Sequence, residues 1–520
     1  MTNLVTEVGA TVESSPDETA VAFDGEAFSY RELWGQIGAF ASGLSNVGVE
    51  PGDRVALYLP NLPQFVVGFH GTLRAGGVVV PMNPQYKARE IEHLLNDSGA
   101  RVVVALADLA PFVEEVRDDT EVETVVTVGG EVETGDPFQS FLGDPEFETV
   151  PREPDDVACQ PYTSGTTGQP KGVLLSHENL RSNAEVAATL APGDGVHEAD
   201  EMLGVLPLFH IYGMTVTMNS VLFSGATYSP LPSWDVEQAL EVVQARDVTM
   251  FHGVPAMYND VVTTDAGEAD LSGLRLCGVG GSGIPEEVLR QFEDLYDAEI
   301  YEGYGLTETS PVTHFNTPDD GRRVGSIGTV LPGIEARVVD DDFASVDPVS
   351  EGPVDEDETD LDEVTGEIVV SGPNVCLGYH DRPEANEASF TEQDGHRWFH
   401  TGDVGYHDED GFFYVVDREK HVIVTGGYNV YPREVEELLF EHEAVADAAV
   451  VGIPDERRGE TVKAYVVRTP DADVTEDEIR DYCLANLAEY KHPREVAFVE
   501  ELPRTTTGKV QKFELVEQSG

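Results

Sequence analysis

Positive charge is what this chain has least of. Its 520 residues carry 31 lysines and arginines against 98 aspartates and glutamates, a formal net charge of −67. Lysine is the scarcer cation, present only at Lys87, Lys171, Lys420, Lys463, Lys491, Lys509 and Lys512. No basic patch exists to neutralise a row of phosphates, so nucleic acid is excluded as a partner. Cysteine is nearly absent as well. Cys159, Cys277, Cys376 and Cys483 are far apart and form no CxxC pair, which excludes a disulfide framework and a zinc site. No apolar run reaches the roughly 18 residues of a membrane span, and Met1 to Ala10 has no basic segment followed by an apolar core. The expectation is a cytoplasmic protein without an integral membrane segment. Self-repulsion between so many like charges destabilises a compact state, and the screening length falls from about 10 Å at 0.1 M salt to about 3 Å at 1 M. The composition therefore predicts a salt-rich cytoplasm and a fold that is firmest in molar salt.

A chain of this length exceeds one hydrophobic core, and two or more domains are expected. Ser29-Tyr30-Arg31-Glu32 has capping-box form, with Leu33, Ile37, Phe40, Ala41 and Leu44 following at helical spacing. Short apolar runs at 55–59, 78–80 and 102–105 alternate with helical stretches after Pro63 and near Ile91 to Leu95. That alternation predicts an α/β fold whose sheets are covered on both faces. Val157 to Cys159 and Val173 to Leu175 read as strands, and Ser176-His177-Glu178-Asn179 as a helix start in which His177 is a hydrogen-bonding residue rather than a catalyst. From Asp340 to Glu363 a dozen acidic residues with few apolar ones predict an enlarged, solvated loop rather than a metal site.

Between two of those strands runs Tyr162-Thr163-Ser164-Gly165-Thr166-Thr167-Gly168-Gln169-Pro170-Lys171-Gly172-Val173. Glycines let successive N–H groups converge on one anion, hydroxyls add donors, and Lys171 adds a mobile charge. This is a phosphate cradle, although not the usual P-loop order. Further along stand Leu206-Pro207-Leu208-Phe209-His210-Ile211-Tyr212-Gly213, Phe251-His252-Gly253-Val254-Pro255 and Gly278-Val279-Gly280-Gly281-Ser282-Gly283-Ile284-Pro285. Then come Tyr301-Glu302-Gly303-Tyr304-Gly305-Leu306-Thr307-Glu308-Thr309, Trp398 to Asp403, Asp417-Arg418-Glu419-Lys420, Gly426-Gly427-Tyr428-Asn429-Val430-Tyr431-Pro432, and Pro503 to Val510. Together they resemble the adenylate-forming (AMP-binding) superfamily, in its acyl-CoA synthetase or fatty acid–CoA ligase branch, and, given the acidity, its haloarchaeal members.

The resemblance implies an AMP-binding domain over residues 1–416 built of several βα subdomains, a hinge at 417–420, and a small mobile α/β domain over 421–520. It implies ATP, Mg²⁺ and coenzyme A as cofactor and co-substrates. Thr163, Ser164, Gly165, Thr166, Thr167, Gly168 and Lys171 would take the ATP phosphates. Gly281, Ser282, Glu302, Gly303, Tyr304 and Gly305 would form the adenine pocket, Thr307 would meet the α-phosphate, and Asp403 with Arg418 the ribose. Glu308, with Thr163, would hold the metal. Lys509 would be the adenylation lysine and Lys420 the pivot, while Gly426, Gly427 and Tyr428 would build the CoA tunnel. His210, Tyr212, His252, Val254 and Val312 would border the acyl pocket. His210 after Phe209 disfavours an amino acid substrate, because adenylation domains for amino acids commonly carry a carboxylate there.

The pocket candidates are mostly apolar or small, and none is an arginine able to pair with a second carboxylate. A medium- or long-chain fatty acid is the expected substrate. The alternative is an aryl or cinnamate-type acid, since glycines beside Tyr304 could accept a ring. From another class, a catalytically silent acyl- or nucleotide-binding relative would have lost Lys509 or Glu308, and both are present. Lysine scarcity leans the same way: in a composition that avoids lysine, Lys171, Lys420 and Lys509 each fall in a segment read as functional.

Overall fold

The computed structural model describes the chain apart from residues 1–2, 131–134, 164–169, 265–268, 319–320, 355–358, 360, 426–427, 456, 471, 473, 488–489, 505–509 and 518–520, and describes 362, 419, 428 and 517 by backbone alone. The first sheet is built on four parallel strands, Arg54–Tyr58, Val78–Pro81, Val102–Leu106 and Thr124–Val128. Val55 to Tyr58 and Val103 to Ala105 are fully buried. A strand covered on both faces needs this continuous apolar run rather than alternation. Val157–Cys159 adds in parallel beside Val78–Pro81, and Lys171–Ser176 then pairs with it antiparallel, Leu175 opposite Cys159.

The larger sheet repeats this reversal. Strands Glu201–Gly204, Thr227–Pro230, Met250–Gly253, Leu276–Val279 and Ile300–Gly305 run parallel. Direction changes at Val312–Phe315, and the sheet continues antiparallel through Gly328–Val330, Phe412–Arg418, His396–His407, Gly366–Ser371 and Glu335–Val339. Ligands of open α/β sheets gather at the carboxyl ends of parallel strands where strand order switches. In the larger sheet the order switches between Glu201–Gly204 and Met250–Gly253, and the Tyr301–Thr309 segment follows the last parallel strand, where direction reverses.

A third, small sheet holds Ile423–Thr425, Tyr428–Val430, Val445–Asp455, Gly459–Arg468 and Glu495–Val499. Its own core of Ile423, Val435, Leu439, Val450, Val466 and Ile479 packs under the helices Pro432–Phe440 and Glu476–Asn486. The fold is thus a large multi-sheet α/β region followed by a small α/β domain. Among the described residues no helix is long and apolar enough to cross a membrane.

Local signals in the sequence are realised closely. Ser29 and Ser176 both close capping boxes, with Glu32 and Asn179 respectively. His177 accepts the Leu4 N–H at Nδ1, 3.0 Å away, and burial pushes its pKa down to about 4, so it is a structural acceptor. Two expectations need adjusting. The strand Phe412–Arg418 runs into the hinge expected at 417–420, because Asp403 and Arg418 are direct cross-strand partners. The described part of the Asp340–Glu363 stretch is also tethered rather than a free solvated excursion. Val346 N–H bonds to Val338 O, Val349 N–H to His407 O, and Leu361 is buried against Tyr406, Phe412 and Tyr414. The few apolar residues of that acidic stretch are what anchor it.

Candidate active site

The phosphate cradle is the end of a β-hairpin. Thr163 stands opposite Lys171 and Tyr162 opposite Gly172, so both flanks of residues 164–169 are brought together. Gly172 is required by packing: a Cβ there would sit 2.6 Å from Gln160 Nε2 and 3.2 Å from Tyr162 Cζ. Lys171 projects its ammonium over the Tyr379 ring, 5.0 Å from the centroid. The Tyr379 hydroxyl in turn donates to Glu308 Oε1 at 2.8 Å. Two residues widely separated in sequence, the cradle lysine and the buried Glu308 carboxylate, therefore share one tyrosine. Thr307 opens the turn Thr307–Thr309 that carries Glu308, whose backbone oxygen accepts the Cys376 N–H. Ser164, Gly165, Thr166, Thr167, Gly168 and Lys509 fall outside the described residues, as do Gly426 and Gly427. Tyr428 is placed by its backbone in the strand Tyr428–Val430.

On the other side of Glu308 the cross-strand register does the assembling. Asp403 is 3% exposed, and its Oδ1 takes Arg418 Nε at 2.8 Å while Oδ2 accepts the Tyr304 hydroxyl. Burial and the Asp403 carboxylate hold the Tyr304 phenol far above its ordinary pKa, so it remains a donor. The turn bearing Asp403 is itself secured. Glu367 receives the Gly402 N–H at 2.9 Å and faces His400 Nδ1 at 2.6 Å, and the Thr401 hydroxyl bonds Ile368 O.

The glycines beside Tyr304 also serve the packing of the sheet. A Cβ on Gly303 would meet Phe315 at 2.7 Å, and one on Gly305 would meet Pro311 O at 1.9 Å. They permit close pairing with the returning strand. Glu302 likewise turns inward. Burial pushes its carboxyl up, against the Arg433 charge and the N–H groups of Ile284 and Gly325. It ties the glycine-rich turn to the sheet. Gly281, with φ +89°, and Ser282 are exposed at the crest of that turn.

Of the residues expected to border the acid, Tyr212 and His252 meet at the carboxyl ends of Met250–Gly253 and Leu276–Val279. The Tyr212 hydroxyl meets His252 Nδ1 at 3.0 Å, the rings edge to face. Burial pushes His252 down to about 4, so it is neutral near pH 7. Gly278 makes room for the imidazole, since its Cβ would lie 2.3 Å from His252 Nδ1, and the Tyr212 ring borders Gly280. Val254 caps the helix Pro255–Thr263 and is the nearest neighbour of Gly281. His210 stays half-buried beside Tyr212, accepting the Tyr212 N–H at Nδ1. Tyr212 opens a wide π-helical turn, Tyr212–Asn219, a conformation frequent at functional sites. Val312 is buried in the apolar cluster against which Tyr212 packs, its backbone clamped by both ends of the Asn183 amide.

Lys420 is exposed in the turn Glu419–His421, just past the last strand of the large sheet. Beside it, Asp417 accepts the Arg418 N–H and, from the small domain, the Arg433 N–H at 3.1 Å. Burial works against this carboxylate, yet His421, Lys512 and the Arg418 N–H hold it below its ordinary pKa.

Sequence reasoning missed Tyr379, Glu367 and Asn183. A faint signal existed for the last: Asn179 and Asn183 occupy consecutive turns of one helix interior, where asparagine is a poor choice unless its amide is needed elsewhere. The structure also qualifies the lysine argument. Lys491 pairs with Glu434 at 2.5 Å and Lys512 with Glu436 at 2.8 Å, all four side chains largely buried. Lysine is thus retained for buried pairs as well as for the site.

Comparison with known proteins agrees with this geometry. The AMP-binding enzyme family model matches residues 9–380, and the AMP-binding enzyme C-terminal domain model matches 434–509. A long-chain-fatty-acid–CoA ligase of Bacillus subtilis (strain 168) is 36% identical over 535 residues, covering 97% of this chain and 92% of the relative. A feruloyl-CoA synthase of Amycolatopsis sp is 36% identical over 508 residues, covering 97% of each. The crystal structure of ATP-bound MatB from Rhodopseudomonas palustris superposes with a TM-score of 0.90 at 32% identity, covering 99% of this chain and 98% of that one. The apo form of the same protein reaches only 0.77 over the same coverage, so the arrangement here is nearer the ATP-bound one. With both modules matched in order, the chain belongs to the AMP-binding enzyme family, among its AMP-forming acyl-CoA ligases.

Proposed function

We propose that this enzyme activates a medium- or long-chain fatty acid, with the residues named above in the roles their resemblance implied. The supporting observation is the Lys171–Tyr379–Glu308 arrangement, which sets a cation, a hydroxyl and a hard carboxylate around one point at the mouth of the cradle hairpin.

A carboxylate is a poor acyl donor because its leaving group would be oxide. Its oxygen attacks the α-phosphorus of ATP, pyrophosphate departs, and an acyl-adenylate forms. Bringing two anions together requires positive charge and N–H donors at the transferring group. Thr163, Lys171 and the cradle between them serve the leaving phosphates, and Lys509 bridges carboxylate and α-phosphate. Tyr304, Asp403 and Arg418 fix the nucleoside. Glu308, buried and with carboxylate oxygens to offer, suits Mg²⁺, which binds through few carboxylates plus substrate phosphates, and Thr163 would be its second protein ligand. When bound there the ion supplies charge neutralisation. The CoA thiol then loses its proton, sulfur attacks the acyl carbon, and AMP leaves.

We divide the chain functionally at the hinge 417–420, with 1–416 holding the nucleotide and 421–520 swinging about Lys420. That motion withdraws Lys509 and delivers Gly426, Gly427 and Tyr428 to the site; such a swap lets one pocket run two reactions. The large apolar share of the Tyr212–Val254 wall favours an alkyl chain. The feruloyl-CoA synthase relative keeps an aromatic acid as the second reading.

The test is acid-dependent pyrophosphate release in molar potassium chloride, across fatty and aromatic acids, with and without CoA. Release dependent on a fatty acid, with thioester formed only when CoA is added, is expected; preference for cinnamate-type acids would replace the substrate, and release without acid would defeat the reaction. Salt belongs to the same reading. The −67 charge predicts a melting temperature that rises from low to molar potassium chloride.

A further inference from the structure

The helix Ala88–Ser98 lies outside every segment so far given a role, yet it grips both flanks of the cradle. His93 and Asp97 are four residues apart, hence on one helix face. His93 Nε2 is 3.2 Å from the Pro170 carbonyl oxygen, and so carries its proton there. Asp97 Oδ2 accepts the Tyr162 hydroxyl at 2.9 Å. Tyr162 and Pro170 bracket the cradle on its two sides. The Asp97 carboxylate is 10% exposed, and its other oxygen takes Arg382 Nη2 at 2.7 Å. Tyr162 also receives Gln160 Nε2 at 3.0 Å. Arg382 follows directly on the strand of Tyr379, which lies under Lys171 and bonds Glu308.

We propose that His93 and Asp97 are positioning residues for ATP: a two-point clamp that sets the spacing of the cradle flanks and, through Arg382, their placement against the Tyr379–Glu308 side. An anion cradle works only if its donors are held before the phosphate arrives, since ordering them on binding costs affinity. Asp97 is a charged acceptor shared by three elements, so its loss is felt at two of them. This inference rests on the reading of residues 163–172 as the phosphate-binding stretch.

The test uses the full-length enzyme in molar salt, measuring KM for ATP, KM for the acid, and thioester formation from supplied acyl-adenylate. Asp97→Asn and Tyr162→Phe should each raise KM for ATP roughly tenfold, the order expected for a hydrogen bond to a charged group. KM for the acid and the thioester step should hold. The double variant should be little worse than Asp97→Asn alone, because Tyr162→Phe removes a bond that Asp97→Asn already weakens. His93→Ala should raise KM for ATP severalfold, and His93→Gln, whose amide can still donate to Pro170 O, should restore it. Unchanged KM for ATP with only a lower melting temperature would overturn the clamp, as would equal losses in the adenylate-supplied step. Lys171→Ala separates the two readings. If it raises KM for ATP while Asp97→Asn does not, the clamp fails alone; if neither does, the cradle reading fails.

Discussion

The two halves of the candidate site are built by opposite means. On the expected nucleotide side, Asp403 with Arg418 and Tyr304, and Tyr379 with Glu308 and Lys171, form two sets of charged and hydroxyl groups drawn from five strands and one turn. On the acid side, Tyr212 and His252 make one neutral hydrogen bond among Ile211, Val254, Val312 and glycines. Buried charge is tolerated only when paired, so the first half must be specified atom by atom, whereas an apolar wall needs only shape and volume. A nucleotide on the first side would thus meet groups already fixed in place, while an acid on the second would be selected by shape and volume.

The widest separation of the halves comes from Lys509→Ala, expected to cut adenylate formation by at least about a thousandfold while sparing thioester formation from supplied acyl-adenylate. Equal loss of both half-reactions would join what the comparison separates. Asp403→Ala should come next, lowering kcat/KM for ATP about a hundredfold, because Tyr304 and Arg418 lose a shared charged partner. Circular dichroism should show the fold intact, and a KM effect confined to the acid would contradict the assignment.

A matched pair of hydroxyl deletions probes the two halves directly. Tyr379→Phe should weaken ATP use about tenfold and raise the magnesium concentration needed for half-maximal rate. Tyr212→Phe, removing a neutral bond, should change KM for the acid only about threefold. Reversed magnitudes would undo the contrast. On the acid side the smallest expected effect is that of pH on binding, although pH acts strongly on stability. His252, like His314 and His70, is held neutral by burial, with folded pKa values of about 4, 3 and 3. Below pH 6.5 the unfolded chain binds protons that the native one refuses, so stability is lost as pH falls toward 4, at about 1.4 kcal/mol per pH unit per histidine. Denaturant titrations at several pH values measure this. KM for the acid should stay flat from pH 5.5 to 8, and a step near 6.5 would show His252 titrating in the pocket.

Much of this was legible before any coordinates. The capping boxes at Ser29 and Ser176, the buried strands at 55–58 and 102–105, and the cradle sequence rest on local rules of periodicity, propensity and glycine conformation. Tyr379 and Glu367 were not legible, because their importance comes from strand pairing over long separations, which leaves no local pattern. Gly303 and Gly305 were visible, but not the groups they admit. A glycine in the sequence announces close approach without saying what approaches, and here it is Phe315 and Pro311.

By itself the sequence determined the charge regime, the two-part α/β plan, and the kinds of group available: cradle hydroxyls, a hard carboxylate, a few lysines. These are matters of composition and short-range spacing, which survive in one dimension. Tertiary structure alone decided which groups meet. It placed Arg418 across from Asp403, Tyr379 between Lys171 and Glu308, and one face of the helix Ala88–Ser98 against both cradle flanks. The physical reason is that contacts across reversing sheets depend on strand register, and register is settled by packing the whole core.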